Sequence, residues 1–313
     1  MKKIDEKARA DFGFWALVAF VVLLLLVSVE SFSQNSHVQL ASNYVEDNNF
    51  NPSSTADSFY EKGMSFLENQ ALNKAMTHFK LALKENPRHY PSLSKLAYVN
   101  TVIGYYDSAE YYAEKGITAE PSNAMAYISL VQALLAQGKN AEAENQLARA
   151  AGIDPEVVTQ IGSRFITEHN SLKYAILYFR VVHRIAPDNK LNCLNYSYAL
   201  KLAGQFESAE RVLYPQFKSM NPSHPHFETA YILYHKLLLI QKKYDQILQS
   251  ASANVPESYY RQYYYMALSH YVQGNGSDFE KNAQLYFQYG PELASASIGD
   301  WAKTQIREIT KTR

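Results

Sequence analysis

Pro87, Pro121 and Pro155 stand 34 residues apart, and Ala75, Ala109 and Ala143 keep the same interval, each twelve residues ahead of its proline. A fixed period of this length marks a chain built from one helical hairpin repeated, because a single hairpin cannot bury its apolar face alone and must stack on its neighbours. Such a stack offers long helical surfaces to another polypeptide and rarely carries chemistry of its own.

Composition narrows the class further. The chain has 313 residues, and its 30 Lys and Arg balance its 30 Asp and Glu, so no net charge draws it toward nucleic acid. Residues 34–155 carry 9 basic and 13 acidic side chains (−4), and residues 156–313 carry 17 and 13 (+4), a mild asymmetry of solvated faces. Tyrosine is abundant, 25 against 2 Trp, and its ring area with a polar tip suits both helix seams and partner-binding surfaces. The single cysteine, Cys193, excludes an intrachain disulfide and a Cys-based zinc cluster; inside an apolar run it reads as a small core residue.

Residues Phe12 to Val29 form an uninterrupted apolar run of 18 residues. At 1.5 Å per residue it spans about 27 Å, close to the hydrocarbon thickness of a bilayer. Lys2, Lys3, Lys7 and Arg9 precede it, and no Lys or Arg follows until Lys62. Basic flanks stay in the cytoplasm, so the expected topology puts the remainder of the chain on the other side of the membrane. Two fates are open: an uncleaved anchor, which the length favours, or a secretory leader removed at Ser31-Phe32-Ser33. The expected organisation is a signal-anchor or signal segment over 1–33, a flexible Asn/Ser-rich linker over 34–55, a repeat region over 56–291 and a capping helix over 292–313.

Within the repeat region the same residue types recur in phase. The first unit, 56–89, has Gly63, Phe66, Ala75, Phe79, Ala82 and Pro87; the second, 90–123, has Leu96, Ala97, Ala109, Gly116 and Pro121; the third, 124–155, has Tyr127, Leu130, Leu134, Ala143, Ala150 and Pro155. Ala175, Phe179 and Pro187, then Tyr198, Ala209 and Leu213, continue the pattern more loosely. These positions resemble the tetratricopeptide repeat (TPR). The resemblance implies an all-α fold: a TPR-type α-solenoid of about seven helical hairpins, the last two degenerate, plus a C-terminal capping helix, preceded by the membrane-spanning or signal helix. The alanines are expected where the helices of a hairpin approach most closely. Phe79 and Phe179 are expected to fill the layer between hairpins. Gly104, Gly138 and Gly204, with Asn170 at the matching place, are expected to close first helices in the left-handed region. In the last hairpin Tyr259, Tyr260, Tyr263, Tyr264 and Tyr265 are too dense to be core together. In the cap, Ile298, Trp301, Ile306 and Ile309 share one face.

No phosphate loop, nucleophile elbow or helical His-Glu-x-x-His is present. His224, His226 and His235, with Glu228, form the one histidine cluster of interest, and loop and cap roles are the expectation for them. No cofactor and no catalytic or metal site is expected. The competing reading is an enzyme, or a subunit of an enzyme complex, with its working residues in the degenerate C-terminal repeats.

In the TPR family the first helix of each hairpin lines the ligand groove, and carrying this over by position implies a peptide groove of Tyr60, Met64, Tyr98, Ile128, Gln132, Arg164, Leu194 and Tyr198. Ser94, Thr101, Leu135, Gln160 and Lys201 adjoin these. Tyr60, Met64 and Met125 stand where relatives that clamp a C-terminal carboxylate need Lys, Asn and Arg, so an extended apolar peptide or a partner helix is the implied ligand. The expectation is a non-enzymatic protein–protein interaction scaffold. It would lie on the periplasmic side of a cell membrane, tethered or secreted, and serve secretion, folding or envelope assembly.

Overall fold

The structure, a computed structural model, describes residues 54–167, 171–253, 255–290 and 297–311. The segment 1–33, nearly all of the linker and Asn170 lie outside the described residues. Fifteen helices are present among the described residues, and the chain divides into two compact units at Ala150/Ala151. No helix among the described residues is long and apolar enough to cross a membrane.

The first unit contains α1 (Thr55–Glu68), α2 (Leu72–Glu85), α3 (Tyr90–Val102), α4 (Tyr106–Ala119), α5 (Ala124–Ala136) and most of α6 (Asn140–Ile153). The second contains α7 (Pro155–Thr167), α8 (Leu172–Ile185), α9 (Lys190–Leu202), α10 (Phe206–Lys218), α11 (Phe227–Ile240), α12 (Tyr244–Ser250), α13 (Tyr260–Gln273), α14 (Gly276–Tyr289) and α15 (Ile298–Thr310). Odd and even helices pair as successive hairpins, α1 with α2, α3 with α4, α7 with α8, α9 with α10, α11 with α12 and α13 with α14, and α15 follows α14.

Local chemistry sets the helix ends. Ser54 Oγ accepts from Asp57 N at 3.2 Å while Asp57 Oδ2 accepts from Ser54 N at 2.9 Å, a reciprocal cap that starts α1. Asn123, Asn189 and Ser297 accept from backbone amides at the starts of α5, α9 and α15. Six first helices close with a left-handed residue. Gly104, Gly138, Gly204 and Gly274 take φ of 73° to 82°, as does Gln70 at 56° and Lys242 at 60°. The following amide then bonds back five residues, as from Tyr105 N to Asn100 O at 2.8 Å and from Lys243 N to Leu238 O at 2.9 Å.

The expected small residues are at the seams. Ala75, Ala109, Ala143, Ala175 and Ala209 are fully buried. Phe79 does more than fill a layer between hairpins: its ring lies directly over Gly63 of its own hairpin, where an added Cβ would sit 2.5 Å from Cε1, and it shares a core cluster with Leu96 and Val99 of α3. Phe179 holds the same place over Gly162, with 3.0 Å to an added Cβ. In the second unit one continuous core runs from Leu194 to Ala302. Of the dense tyrosines only Tyr265 is fully buried; Tyr259, Tyr260, Tyr263 and Tyr264 are partly covered. Ile298, Ile306 and Ile309 of α15 pack on that core beside buried Trp301, and the helix begins at Ile298, later than the sequence boundary of 292.

Candidate protein-binding faces

In the first unit Tyr60, Met64 and Tyr98 lie half-buried against the cluster around Phe79. The Tyr60 ring is 5.7 Å from Phe79 and 5.7 Å from His89, centroid to centroid. His89 is itself fixed by Asp57 Oδ1 at 2.9 Å and Ser92 Oγ at 2.8 Å. Burial pushes the Tyr98 phenol up to about 12, so it acts as a neutral hydrogen-bonding tip at neutral pH. Gln132 is also half-buried. Ile128 is different: at 1% exposure it belongs to the core and presents no surface to a ligand. Ser94 is buried too and pairs with Ser129 Oγ at 3.0 Å.

In the second unit Leu194 is 4% exposed and part of the core, so it likewise faces no ligand. Arg164 is half-buried, and Tyr198 is open to solvent with the Lys201 ammonium 6.0 Å from its ring centroid. The reason for both corrections is the same. A first helix contacts its own partner and its neighbours, so much of its circumference is seam, as α9 illustrates with six buried residues and contacts to α7, α8, α10 and α11.

The second unit also carries a concavity that the sequence does not announce. Helix α12 has seven residues, whereas α8 and α10, at the equivalent place in their hairpins, have 14 and 13. Beside α12 lies a cleft of about 490 Å³ over α10 and α11. Its floor is aromatic: Phe217 stacks on Tyr234 at 4.8 Å and on Phe227 at 6.0 Å, and Tyr214 stacks on Tyr234 at 5.5 Å. Lys218, Gln246, Gln249 and Ser250 supply a polar rim. Tyr214 is exposed. Apolar rings with a few polar groups around them are what a side chain or helix from another polypeptide needs.

The histidines are not gathered into one centre. His226 N donates to His224 Nδ1 at 3.1 Å in the loop before α11. His235 is fully buried, with Nδ1 donating to Tyr231 O at 2.9 Å and Nε2 3.1 Å from Ser250 Oγ. Burial pushes His235 down to about 4, so it is neutral at pH 7, with Nε2 against a Ser250 hydroxyl that itself donates to Gln246 O at 2.7 Å. Glu228 is engaged by Arg261 Nε at 2.7 Å. No group of three metal-ligating side chains occurs among the described residues. Cys193 is fully buried, its Sγ–H donating to Pro187 O at 3.1 Å, and burial pushes the thiol up to about 11.

No family model matches the chain, and no curated protein matches it. Several solved structures are similar in part. The Naa15/Naa10 complex bound to HypK-THB aligns over 82% of this chain and 39% of that one, with 15% identity and a TM-score of 0.43. The Pseudomonas aeruginosa protein pilF aligns over 80% and 97%, with 14% identity and a TM-score of 0.36. A tetratricopeptide repeat protein from Parabacteroides merdae aligns over 82% and 98%, with 15% identity and a TM-score of 0.35. Similarity at this level carries no functional argument, and the hairpins themselves have to decide the repeat type. Their buried alanines, left-handed first-helix ends and prolines at a 34-residue interval resemble those of tetratricopeptide repeats.

Proposed function

We propose that this chain is a non-enzymatic scaffold that binds another polypeptide, and that its second unit does so through the aromatic cleft over α10 and α11. The observation that carries this reading is the cleft of about 490 Å³ beside the seven-residue α12, at whose edge Tyr214 keeps an exposed ring among Glu210, Lys218, Gln246 and Gln249. The occupant is an amphipathic helix of a partner, supplying an apolar side chain against the exposed ring of Tyr214 beside α12. The half-buried Tyr60, Met64 and Tyr98 of the first unit form a second, separate aromatic surface. Binding energy would come from a few ring contacts, with the polar rim setting orientation.

The scaffold is further proposed to work outside the cytoplasm, held at a cell membrane by residues 12–29 or released there after cleavage, in secretion, folding or envelope assembly. The support is the charge distribution: four basic residues before the apolar run and none after it until Lys62. Crosslinking capture from native membranes, wild type against Tyr214→Ala, tests the binding reading; the variant should lose defined partners that the wild type retains. An unchanged set at unchanged yield would remove the cleft from the account. Protease protection of the repeat region in intact cells tests the topology, and degradation from the cytoplasmic side contradicts it.

A further inference from the structure

Helix α15 does not continue the stack in the way its predecessors do. In the second unit each new first helix packs on the second helix before it: α9 on α8, α11 on α10, α13 on α12. Helix α15 packs instead chiefly on α11 and α13, two first helices. It therefore lies across the first-helix face, the surface on which the other first helices leave residues such as Tyr198 open.

The contacts form a graded series along α15. Near its start Trp301 is enclosed by Tyr264, Tyr286 and Phe287 at centroid distances of 5.8, 5.3 and 5.2 Å. One turn on, Tyr264 Oη donates to Gln305 Oε1 at 2.9 Å. At its end the packing opens: Glu308 and Ile309 line a cleft of about 180 Å³ with Lys201 of α9 and Lys236 and Ile240 of α11. The helix C-terminus, which carries partial negative charge, is thus directed at two lysines. Burial, then the neighbouring Lys236, holds Lys201 below the usual lysine range, and the two lysines together make this end of the face basic.

We propose that the first-helix face of α9, α11 and α13 is a helix-binding groove, that α15 is its resident occupant, and that a partner's amphipathic helix enters by displacing α15. The partner helix has the same pattern as α15: a large aromatic in its first turn, a polar group four residues on, branched apolar residues at the next turns and a carboxylate in the last turn facing Lys201 and Lys236. The inference rests on the reading of the chain as a binding scaffold, but it concerns a different surface from the aromatic cleft.

Two measurements on the detergent-solubilised full chain decide it. In the first, amide hydrogen exchange compares α15 with α13. A displaceable helix opens without global unfolding, so its amides should exchange at least tenfold faster than those of α13. Equal rates would make α15 an integral layer of the core and overturn the proposal. In the second, a fluorescent peptide of residues 297–311 is titrated into the wild type and into a Trp301→Ala/Ile306→Ala chain whose helicity and cooperative melt are verified. The weakened chain should bind the peptide at least tenfold more tightly than the wild type, in which α15 occludes the site. Equal affinity for both, no binding to the folded variant, or a dimer exchanging α15 between copies by light scattering would each overturn it. Failure of the Tyr214→Ala capture experiment, with these results intact, would sink the cleft reading alone.

Discussion

Glu210 Oε2 accepts from Lys243 Nζ at 2.6 Å and from Gln241 Nε2 at 2.7 Å, tying α10 to the end of the first helix that follows it. The first unit repeats the arrangement: Glu110 accepts from Lys139 at 2.8 Å and from Gln137 at 3.0 Å. Each glutamate directly follows the seam alanine, Ala209 or Ala109, and each lysine directly follows the left-handed residue that ends the next first helix. The two partners in α10 and α11 keep 16% and 34% of their side-chain surface, so solvent screens the pair. A double-mutant cycle of Glu210→Ala and Lys243→Ala should therefore give a coupling of about 0.5–1 kcal/mol that weakens at high salt. Additive effects would contradict the clamp. Hydrogen bonds from Lys139, then Gln137, hold the Glu110 carboxyl below its usual 4.5. This contribution is present above pH 4.5 and is lost as acid protonates Glu110.

The left-handed ends make a prediction about sign. Lys242 at φ 60° holds a conformation that costs a side chain about 1 kcal/mol, so Lys242→Gly should stabilise the protein by roughly that amount in chemical denaturation. Gly104→Ala, at φ 82°, should destabilise it by a similar amount even though an added Cβ meets nothing within 4 Å. Equal and negligible effects of the two substitutions would contradict the backbone assignment.

Gly63 tests the ring-over-glycine seam. In an ordinary helix interior Gly→Ala is stabilising by about 1 kcal/mol. Here the new methyl would meet Phe79 Cε1 at 2.5 Å, so Gly63→Ala should instead cost about 1–3 kcal/mol. Ala109→Leu, at a fully buried seam, should cost at least as much. A rise in melting temperature for Gly63→Ala would contradict the packing described for Phe79.

His235 makes a pH prediction. Its folded value is about 4 and its ordinary value is 6.5, so the unfolded chain binds the proton more readily between them. Its contribution to stability is complete above pH 6.5 and falls away as the pH drops toward 4, with a total of about 3 kcal/mol. Because Nε2 lies 3.1 Å from Ser250 Oγ of the short α12, the cleft wall should loosen over the same range. His235→Gln should flatten this limb of the stability profile; identical slopes in the variant and the wild type would contradict the assignment.

Much of the fold was legible because it depends on residue types that have one physical use at a helical crossing. Alanine at a close approach and glycine past a helix end recur in phase, and the structure places them as expected. The apolar stripe Ile298, Trp301, Ile306 and Ile309 also predicted the packed face of α15, though not that the face would cross α11 and α13. Three features were not legible. Lys242 and Gln70 are left-handed with no residue type to announce it, because the flanking hydrogen bonds impose the turn. The Glu210–Lys243 pair spans 33 residues and has no local signature. The short α12 has no marker in the sequence, because no proline or glycine directly follows Ser250 to stop the helix there, and the cleft beside it was hidden with it. Among the groove candidates, Ile128 and Leu194 misled for a related reason: a first helix has several seams, and spacing alone does not say which one a given residue fills.

The central claim, that the cleft over α10 and α11 with its exposed Tyr214 holds another polypeptide, is tested most directly by a photo-crosslinking residue placed at exposed Gln249 on the cleft rim, with exposed Lys80 of α2 as the control position. The account predicts a discrete adduct from Gln249 in native membranes, absent from Lys80 and abolished when Tyr214→Ala is added. No adduct at Gln249, or the same adducts from both positions, would contradict it.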